Sequence, residues 1–395
     1  MSGSVTGYSA GVESTDVVLA YGIEAVWGTA PATTFKSLRF TGESLAGSKQ
    51  RTRPNEIGLA RRVSPAVTQQ EQAGGGINWN LSYGTFDDLF AGAFGADWGT
   101  PLNIVGIAAD ISTVAAGNKL TSTLVSKFTT IQLGQWIQLK GFTSNNGVYR
   151  VTAKASNQDI TLAGGTLTNE TPAGTSAQVK SAGRLVNGDL VKSYFFEKKF
   201  SPTLWLRYPG CIVTGMTLTG ASGQFLTGSF TILAKEELNQ TTDAATGGIV
   251  AAPTGGFFDA VQNFGGVFLQ DVPLSAAVTA FSIELTREGA GLDYGMGAAA
   301  AQGGRWGQVQ VGGSCEIYFK TFTEYLLFKT EQQRVISARM KDSGGNTYTW
   351  TLQGANIMNP QIVAGSPNSP VLARFAIEGG NDLALPSIVL EKFDV

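Results

Sequence analysis

One short pattern occurs twice in this chain, and the repeat limits the folds open to it. Gly-Ile-Asn-Trp-Asn-Leu-Ser-Tyr-Gly-Thr-Phe-Asp-Asp-Leu-Phe (76–90) has a counterpart in Gly-Ser-Cys-Glu-Ile-Tyr-Phe-Lys-Thr-Phe-Thr-Glu-Tyr-Leu-Leu (313–327). Each reads as an alternating strand, then a threonine, then the apolar start of a short helix. Aligning Phe86 with Phe322 gives an offset of 236 and superposes Trp79 on Cys315, Leu81 on Ile317, Tyr83 on Phe319 and Asp88 on Glu324. Solenoid periods run to roughly 20–50 residues, so this one is too long for a solenoid. It implies two copies of a whole domain. The 395 residues suffice for two or three domains with their own cores.

Strands dominate between the turn signals. The spans 37–45, 77–83, 130–139, 148–154, 212–219, 225–233, 280–287, 309–319, 347–352 and 371–378 are rich in β-branched or aromatic residues, mostly alternating. The repeat continues on both sides. Phe40–Leu45 matches Phe281–Leu285, and Leu204–Glu236 matches Tyr348–Glu378 through Trp205 or Trp350 and a glycine turn at Gly210 or Gly354. Thr85-x-x-Asp88 and Thr321-x-x-Glu324 read as capping boxes, which predicts one short helix per repeat. The fold class expected is therefore all-β. Residues 1–97 and 187–238 form the first copy, 239–271 an irregular connector and 272–395 the second copy. The first copy is interrupted by 98–186, where Gly134–Phe142, an Asn145-Asn146-Gly147 turn and Val148–Val151 read as a hairpin. This is a small β module inserted at a surface loop, where insertions are best tolerated.

Composition narrows function. There is no histidine, which removes Ser-His-Asp and Cys-His nucleophiles and imidazole metal ligation. Cys211 and Cys315 make neither a metal pattern nor a disulfide framework and read as buried thiols. Adjacent carboxylates at Asp87-Asp88 and Glu236-Glu237 point in different directions, unlike the facing pair of a glycosidase. No phosphate-binding glycine motif is present, so no cofactor or metal is expected and the chain does not read as an enzyme. Charged residues make up 15%, below the usual ~25%, and such a surface favours association with further copies. The opening Met-Ser-Gly-Ser-Val-Thr-Gly does not read as a signal peptide, and no apolar run approaches the ~20 residues of a membrane helix.

The long polar segment 47–74 is the main candidate for function. Its core holds Lys49, Arg51, Arg53, Arg61 and Arg62 against Glu56. A structureless loop of this length is usually functional or disordered. Three readings fit: an arm that pairs with carboxylates on a neighbour, a solvated basic loop, or a phosphate contact. No aromatic residue interleaves the basic core for base stacking. The corresponding second-copy arm carries Arg287, Asp293, Tyr294, Arg305 and Trp306, with its charges balanced by Glu288. In the insert, Trp98, Trp136, Phe142 and Tyr149 read as core, or else as a platform for sugars.

Tyr21-Gly-Ile-Glu-Ala-Val-Trp-Gly-Thr-Ala-Pro31, the arm Lys49–Arg62, Gly-Gly-Ile-Asn-Trp-Asn-Leu (75–81) and the short helix resemble, in that order, the tail tube proteins of long-tailed bacteriophages. The insert, with Gly134-x-Trp136-Ile137, is similar to an extra β module found in several of them. The resemblance implies two tandem β-sandwich tube domains, each with one helix. It also implies a virion structural protein that assembles with itself into stacked rings around a channel for DNA. With two domains per chain, three chains would build a ring of pseudo-six-fold symmetry. The implied partners are tape-measure and terminator proteins and, transiently, DNA without sequence recognition; no membrane is implied. Synthesis would be in the host bacterial cytoplasm, and the doubled chain leans towards a flexible siphovirus tail. The competing expectation is a glycan-binding or adhesive β-protein with recognition in the insert.

Overall fold

The computed structural model describes residues 11–395 apart from 33, 58–61, 263, 275, 323–324, 327–328 and 381–384. Its first set of strands is β1 (Val18–Ile23), β2 (Phe35–Ser37), β3 (Ala46–Thr52), β4 (Val67–Asn80), β5 (Tyr194–Ser201), β6 (Leu204–Ala221), β7 (Thr227–Ala234) and β8 (Leu238–Gln240). A second set follows: β9 (Phe264–Leu269), β10 (Val272–Pro273), β11 (Val278–Glu288), β12 (Gln308–Tyr318), β13 (Arg334–Lys341), β14 (Thr347–Val363), β15 (Leu372–Glu378) and β16 (Ile388–Phe393). A helix, α1 (Asp87–Phe94), follows β4.

Both sets pair in one pattern. β3, β4, β7 and β6 are neighbours in that order. So are β11, β12, β15 and β14. β6 then pairs with β11 over seven residues, from Gly215↔Thr286 to Ala221↔Ala280, which joins the quartets into one eight-stranded antiparallel sheet. Two smaller sheets accompany it: β2-β1-β5-β6-β8, with Ile249–Val250 parallel to β2, and β10-β9-β13-β14-β16, with Gly183–Val186, the last strand of the stretch read as the insert, paired to β16.

β6 and β14 each belong to two sheets. They bend near the transfer at Gly210 (φ 65°) and Gly354 (φ 57°), a left-handed conformation that costs other L-residues about 1–2 kcal/mol. This corrects the expectation of a turn at those glycines: each is a bend inside one long strand. The segment 37–45 is not one strand either. Leu38 N–H bonds to Leu19 of β1 and Thr41 N–H to Asn78 of β4, so it crosses between sheets. Residues before Trp136 turn instead of extending, with Ile131 N–H bonded to Phe128 O and Gln135 N–H to Gln132 O. The stretch 239–271 is not irregular throughout, because it contains β9, which pairs with β13.

The core lies between the large sheet and the smaller ones. Ile77 and Trp79 of β4 are buried while Asn78 between them is exposed, the alternation of a strand with one wet face. The Trp79 ring lies 5.0 Å from Phe86 and 5.2 Å from Phe230. α1 is buried from Leu89 to Phe94, and Phe90 meets the edge of Trp350 at 5.3 Å. Rings at these separations gain on the order of 1 kcal/mol beyond simple burial.

The insert forms a separate seven-stranded sheet with its own core. The expected hairpin pairs Trp136–Lys140 with Gly147–Lys154. Trp136 also seats the module on the second strand set. Its ring lies 5.6 Å from Phe268, its Nε1 donates to Thr351 Oγ1 at 3.0 Å, and its backbone N–H donates to Glu391 Oε2 at 3.0 Å. Arg150 pairs with Asp271 at 2.6 Å beside it.

Glu391 is fully buried, and burial pushes its carboxyl up to about 7 even though Arg184 lies 3.1 Å away. Between its ordinary value of 4.5 and about 7 the folded chain holds a proton that the unfolded chain has lost. This group's contribution to stability therefore falls as pH rises through that window. Urea titrations from about pH 5 to about pH 7.5 should show wild type losing stability relative to Glu391→Gln. Parallel profiles for the two proteins would show that Glu391 does not titrate there.

Candidate functional site

The large sheet has one covered face and one wet face. The wet face follows from alternation: Asn78 on β4, Thr227, Ser229 and Thr231 on β7, Thr217 and Thr219 on β6, Ser282 and Glu284 on β11, Ser314 and Glu316 on β12, and Arg374 and Glu378 on β15 are exposed or half-exposed. Their hydroxyls pair across strands. Thr217 meets Ser229 at 2.8 Å, Thr219 meets Thr227 at 2.9 Å and Ser282 meets Ser314 at 2.9 Å. Such pairs stabilise a sheet by roughly 0.2–1 kcal/mol each. The charged residues named on this face are three carboxylates and one guanidinium. Thr279 Oγ1 donates to Glu316 at 2.8 Å and Arg374 pairs with the same carboxylate, which together hold its pKa below the usual range. The result is a broad polar surface, hydroxyl-rich and mildly acidic. Sequence reasoning did not single it out, although the period-two threonines of 214–231 signal it.

Two hairpins project from the β3–β4 and β11–β12 ends of this sheet. The first corrects the expectation of a long loop without structure: β3 pairs with β4 from Ala46↔Gly74 to Thr52↔Val67. Polar side chains brace it. Lys49 pairs with Glu71 at 2.6 Å, Arg51 donates to Ala66 O at 2.9 Å, Arg53 donates to Ser64 O at 3.2 Å, and Glu56 accepts from Ser64 at 2.8 Å. Arg62 is exposed, and Arg61 lies outside the described residues. The second hairpin pairs Gly291–Asp293 with Gly303–Arg305, and Arg305 bridges to Asp293 at 2.8 Å. It lies against the first: Tyr294 OH donates to Gln72 at 3.3 Å, and Glu71 N–H donates to Ala299 O at 2.8 Å.

Arg287 is not part of that arm. It is buried at the carboxyl end of α1, where it donates to Phe94 O at 2.7 Å, Ala93 O at 3.2 Å and Gly188 O at 3.3 Å. Trp306 lies under its guanidinium, 4.4 Å away. Helix-terminal carbonyls lack intrahelical donors, and a cation there also meets the negative end of the dipole. Burial lowers the Arg287 pKa to about 10, so it stays charged at neutral pH.

The capping box at Thr85 and Asp88 is not formed. The N-cap of α1 is Phe86 with no side-chain cap, and Thr85 instead accepts from Ser82 at 2.8 Å. More distant donors take the carboxylates. Asp88 accepts from Tyr21 at 2.9 Å and Lys36 at 2.6 Å, while Asp87 accepts from Tyr348 at 2.5 Å and Lys392 at 2.6 Å. In the second copy Glu324 lies outside the described residues. Past Thr321, Leu326 N–H bonds to Phe322 O at 2.8 Å and Thr330 N–H to Leu326 O at 3.1 Å. The insert aromatics Trp136, Phe142 and Tyr149 are buried, and Trp98 donates to Asp87 O at 2.9 Å. Cys211 and Cys315 are buried free thiols.

Truncating Arg287 to Ala removes the side-chain donor from Ala93 O, while Phe94 O keeps the Gly188 N–H at 2.9 Å. Each charged hydrogen bond contributes roughly 1.5–3 kcal/mol, so the variant should lose about 3 kcal/mol in urea denaturation. A loss within experimental error would mean that the helix end is held by other groups.

A family model described as phage tail tube protein matches residues 14–383. No curated protein matches the chain.

Proposed function

The chain belongs to the phage tail tube protein family, and from that premise we propose that it closes into a ring of three copies and stacks into the tail tube. A tube protein is a structural component of the virion and assembles with itself and with other tail proteins. We assign the first tube domain to 1–97 and 187–238, the second to 272–395 with β9 added, and the inserted module to 98–186 on the outer surface.

The seam between β6 and β11 carries this reading. It already joins the two strand sets edge to edge inside one chain. Among the described residues, β3 pairs only with β4, and the far half of β14 pairs only with β15. An unpaired edge exposes amides and carbonyls that seek a partner. Pairing β14 of one chain with β3 of the next repeats the seam, and a heterologous contact that closes makes a ring. The hydroxyl-rich face then lines the channel. Lys and Arg bind phosphates and would hold DNA back, whereas this face carries paired hydroxyls and an excess of carboxylate. The basic arm, with Arg51, Arg53, Arg61 and Arg62, reaches a neighbouring ring instead. Tape-measure and terminator proteins would meet the channel and the tube end, with synthesis in the host cytoplasm.

Electron microscopy of purified protein tests the ring, with three-fold end-on views of six similar lobes as the expected result. Six chains per ring, each with one dominant lobe, would overturn the doubled-domain closure. Reversing Arg61 and Arg62 to Glu should stop stacking and leave a folded chain by circular dichroism. Tubes of normal length from that variant would remove the arm from stacking.

A further inference from the structure

Where the free edge of the first strand set begins, it is not bare. Ser44 N–H bonds to Gly76 O of β4, so the backbone groups of the next residue, Leu45, and of Gly47 beyond it face outward. Side chains of the same chain occupy them. Leu45 N–H donates to Glu43 Oε2 at 2.9 Å, and Leu45 O accepts from Lys198 Nζ at 3.3 Å. Gly47 N–H donates to Glu237 Oε2 at 3.0 Å. Tyr208 OH lies 2.9 Å from Leu45 O and 2.8 Å from Glu237 Oε2, with one proton to give to either. Lys198 also pairs with Glu43 at 2.9 Å. Glu237 packs so closely that a Cβ added at Gly47 would stand 2.8 Å from its own.

The in-chain seam has the same edge in its paired form. Ala46 pairs with Gly74, and Thr286 pairs with Gln310, the counterpart of Gly74 at the offset of 236. Leu285 therefore stands where Leu45 does, and it pairs with Met216 of β6. The surroundings differ in chemistry. β13 and β14 pair Ile336 with Leu352 and Ala338 with Trp350, as β5 and β6 pair Phe196 with Tyr208 and Lys198 with Leu206. Aligned on Gly354 and Gly210, the second copy has Leu352 in place of Tyr208 and Ala338 in place of Lys198. Neither side chain can donate a hydrogen bond. The donors stand at the copy whose edge is open and are replaced at the copy whose edge is paired.

We infer that Glu43, Lys198, Tyr208 and Glu237 form a latch over the outer edge of the first copy, and that ring closure exchanges it for the backbone of a second copy of this chain. The inference rests on the ring proposed above and adds its register and its control. Phe230 pairs with Ile77 and Met216, and Ile377 pairs with Gly313 and Ile357. Since Gly313 is the counterpart of Ile77, Ile357 of β14 is the counterpart of Met216. Repeating the seam sets Leu45 opposite Ile357 of the next chain, and Ser44 opposite Met358. Until that partner arrives, the latch satisfies groups that would otherwise draw any strand. Its bonds exist only in the unassembled chain, so they compete with lateral pairing.

Two substitutions open the latch from different sides. Glu237→Ala removes the acceptor of Gly47 N–H, and Tyr208→Phe removes a hydroxyl with little change in volume. In dilute, unassembled protein the Gly47 amide of Glu237→Ala should exchange with solvent about tenfold faster, the worth of one hydrogen bond to a charged group. The Leu285 amide at the seam should keep its wild-type rate, which verifies folding. In both variants the concentration needed for rings should fall about threefold, as expected when a hydrogen bond is lost from the unassembled chain alone. A cross-link tests the register. Ser44 and Met358 would form a non-hydrogen-bonded pair with Cα atoms about 4.5 Å apart, within disulfide range. With both changed to Cys in one chain, where Cys211 and Cys315 are buried, mild oxidation of rings should give covalent multimers absent from either single variant. Unchanged Gly47 exchange, or a threshold that stays or rises in both variants, would overturn the latch while leaving the ring intact. Rings that yield no cross-link would overturn the register. Wild-type protein that forms no rings at any concentration would overturn the ring, and the latch's role with it.

Discussion

Edge-to-edge hydrogen bonding between β6 and β11 is the constraint on which the rest of the molecule depends. It turns two four-stranded units into one continuous surface. It also fixes the distance between the smaller sheets, because β6 and β14 run on from the large sheet into them. The gap left between those sheets is filled by α1. Its amino end is held by Tyr21 and Lys36 from one set and by Tyr348 and Lys392 from the other. Its carboxyl end is held by Arg287, which projects from β11 itself. The seam and the wedge therefore support one another: pairing positions the arginine, and the arginine satisfies the helix that keeps the sheets apart.

The insert illustrates a different balance. It has a core of its own, yet Trp136 and Arg150 turn out of it towards the second set. A buried ion pair is weak evidence for stability in itself, because desolvation offsets much of the attraction. Here it is accompanied by the apolar contact of Trp136 with Phe268. The aromatic surface area supplies the attachment, and the charged pair sets one orientation for it.

Much of the architecture was legible in the sequence, and the failures share a cause. Trp79 and Leu81 recur at a fixed offset as Cys315 and Ile317 because the same strand needs buried side chains at the same steps, whereas Phe322, the counterpart of buried Phe86, is exposed. Local rules failed where distant residues intervened. Thr85 and Asp88 satisfy the pattern of a capping box, but Asp88 is claimed by Tyr21 and Lys36, far away in sequence. Arg287 sits in a segment that reads as an arm, and its partners on α1 lie about 190 residues earlier. β3 was not legible as a strand because every residue in it is exposed, so it has no apolar alternation to show.

Covalent continuity between the two strand sets has a kinetic consequence. Two surfaces joined by a linker meet at an effective concentration on the order of millimolar. The β6–β11 seam therefore forms whenever a chain folds, at any dilution, whereas a contact between chains depends on how many are present. Half of the lateral joints in such a ring would be insensitive to protein supply. In a cell making the protein gradually, the population would stay as monomers with their in-chain joint complete until supply crossed the threshold for the remaining joints, and rings would then appear over a narrow range of concentration.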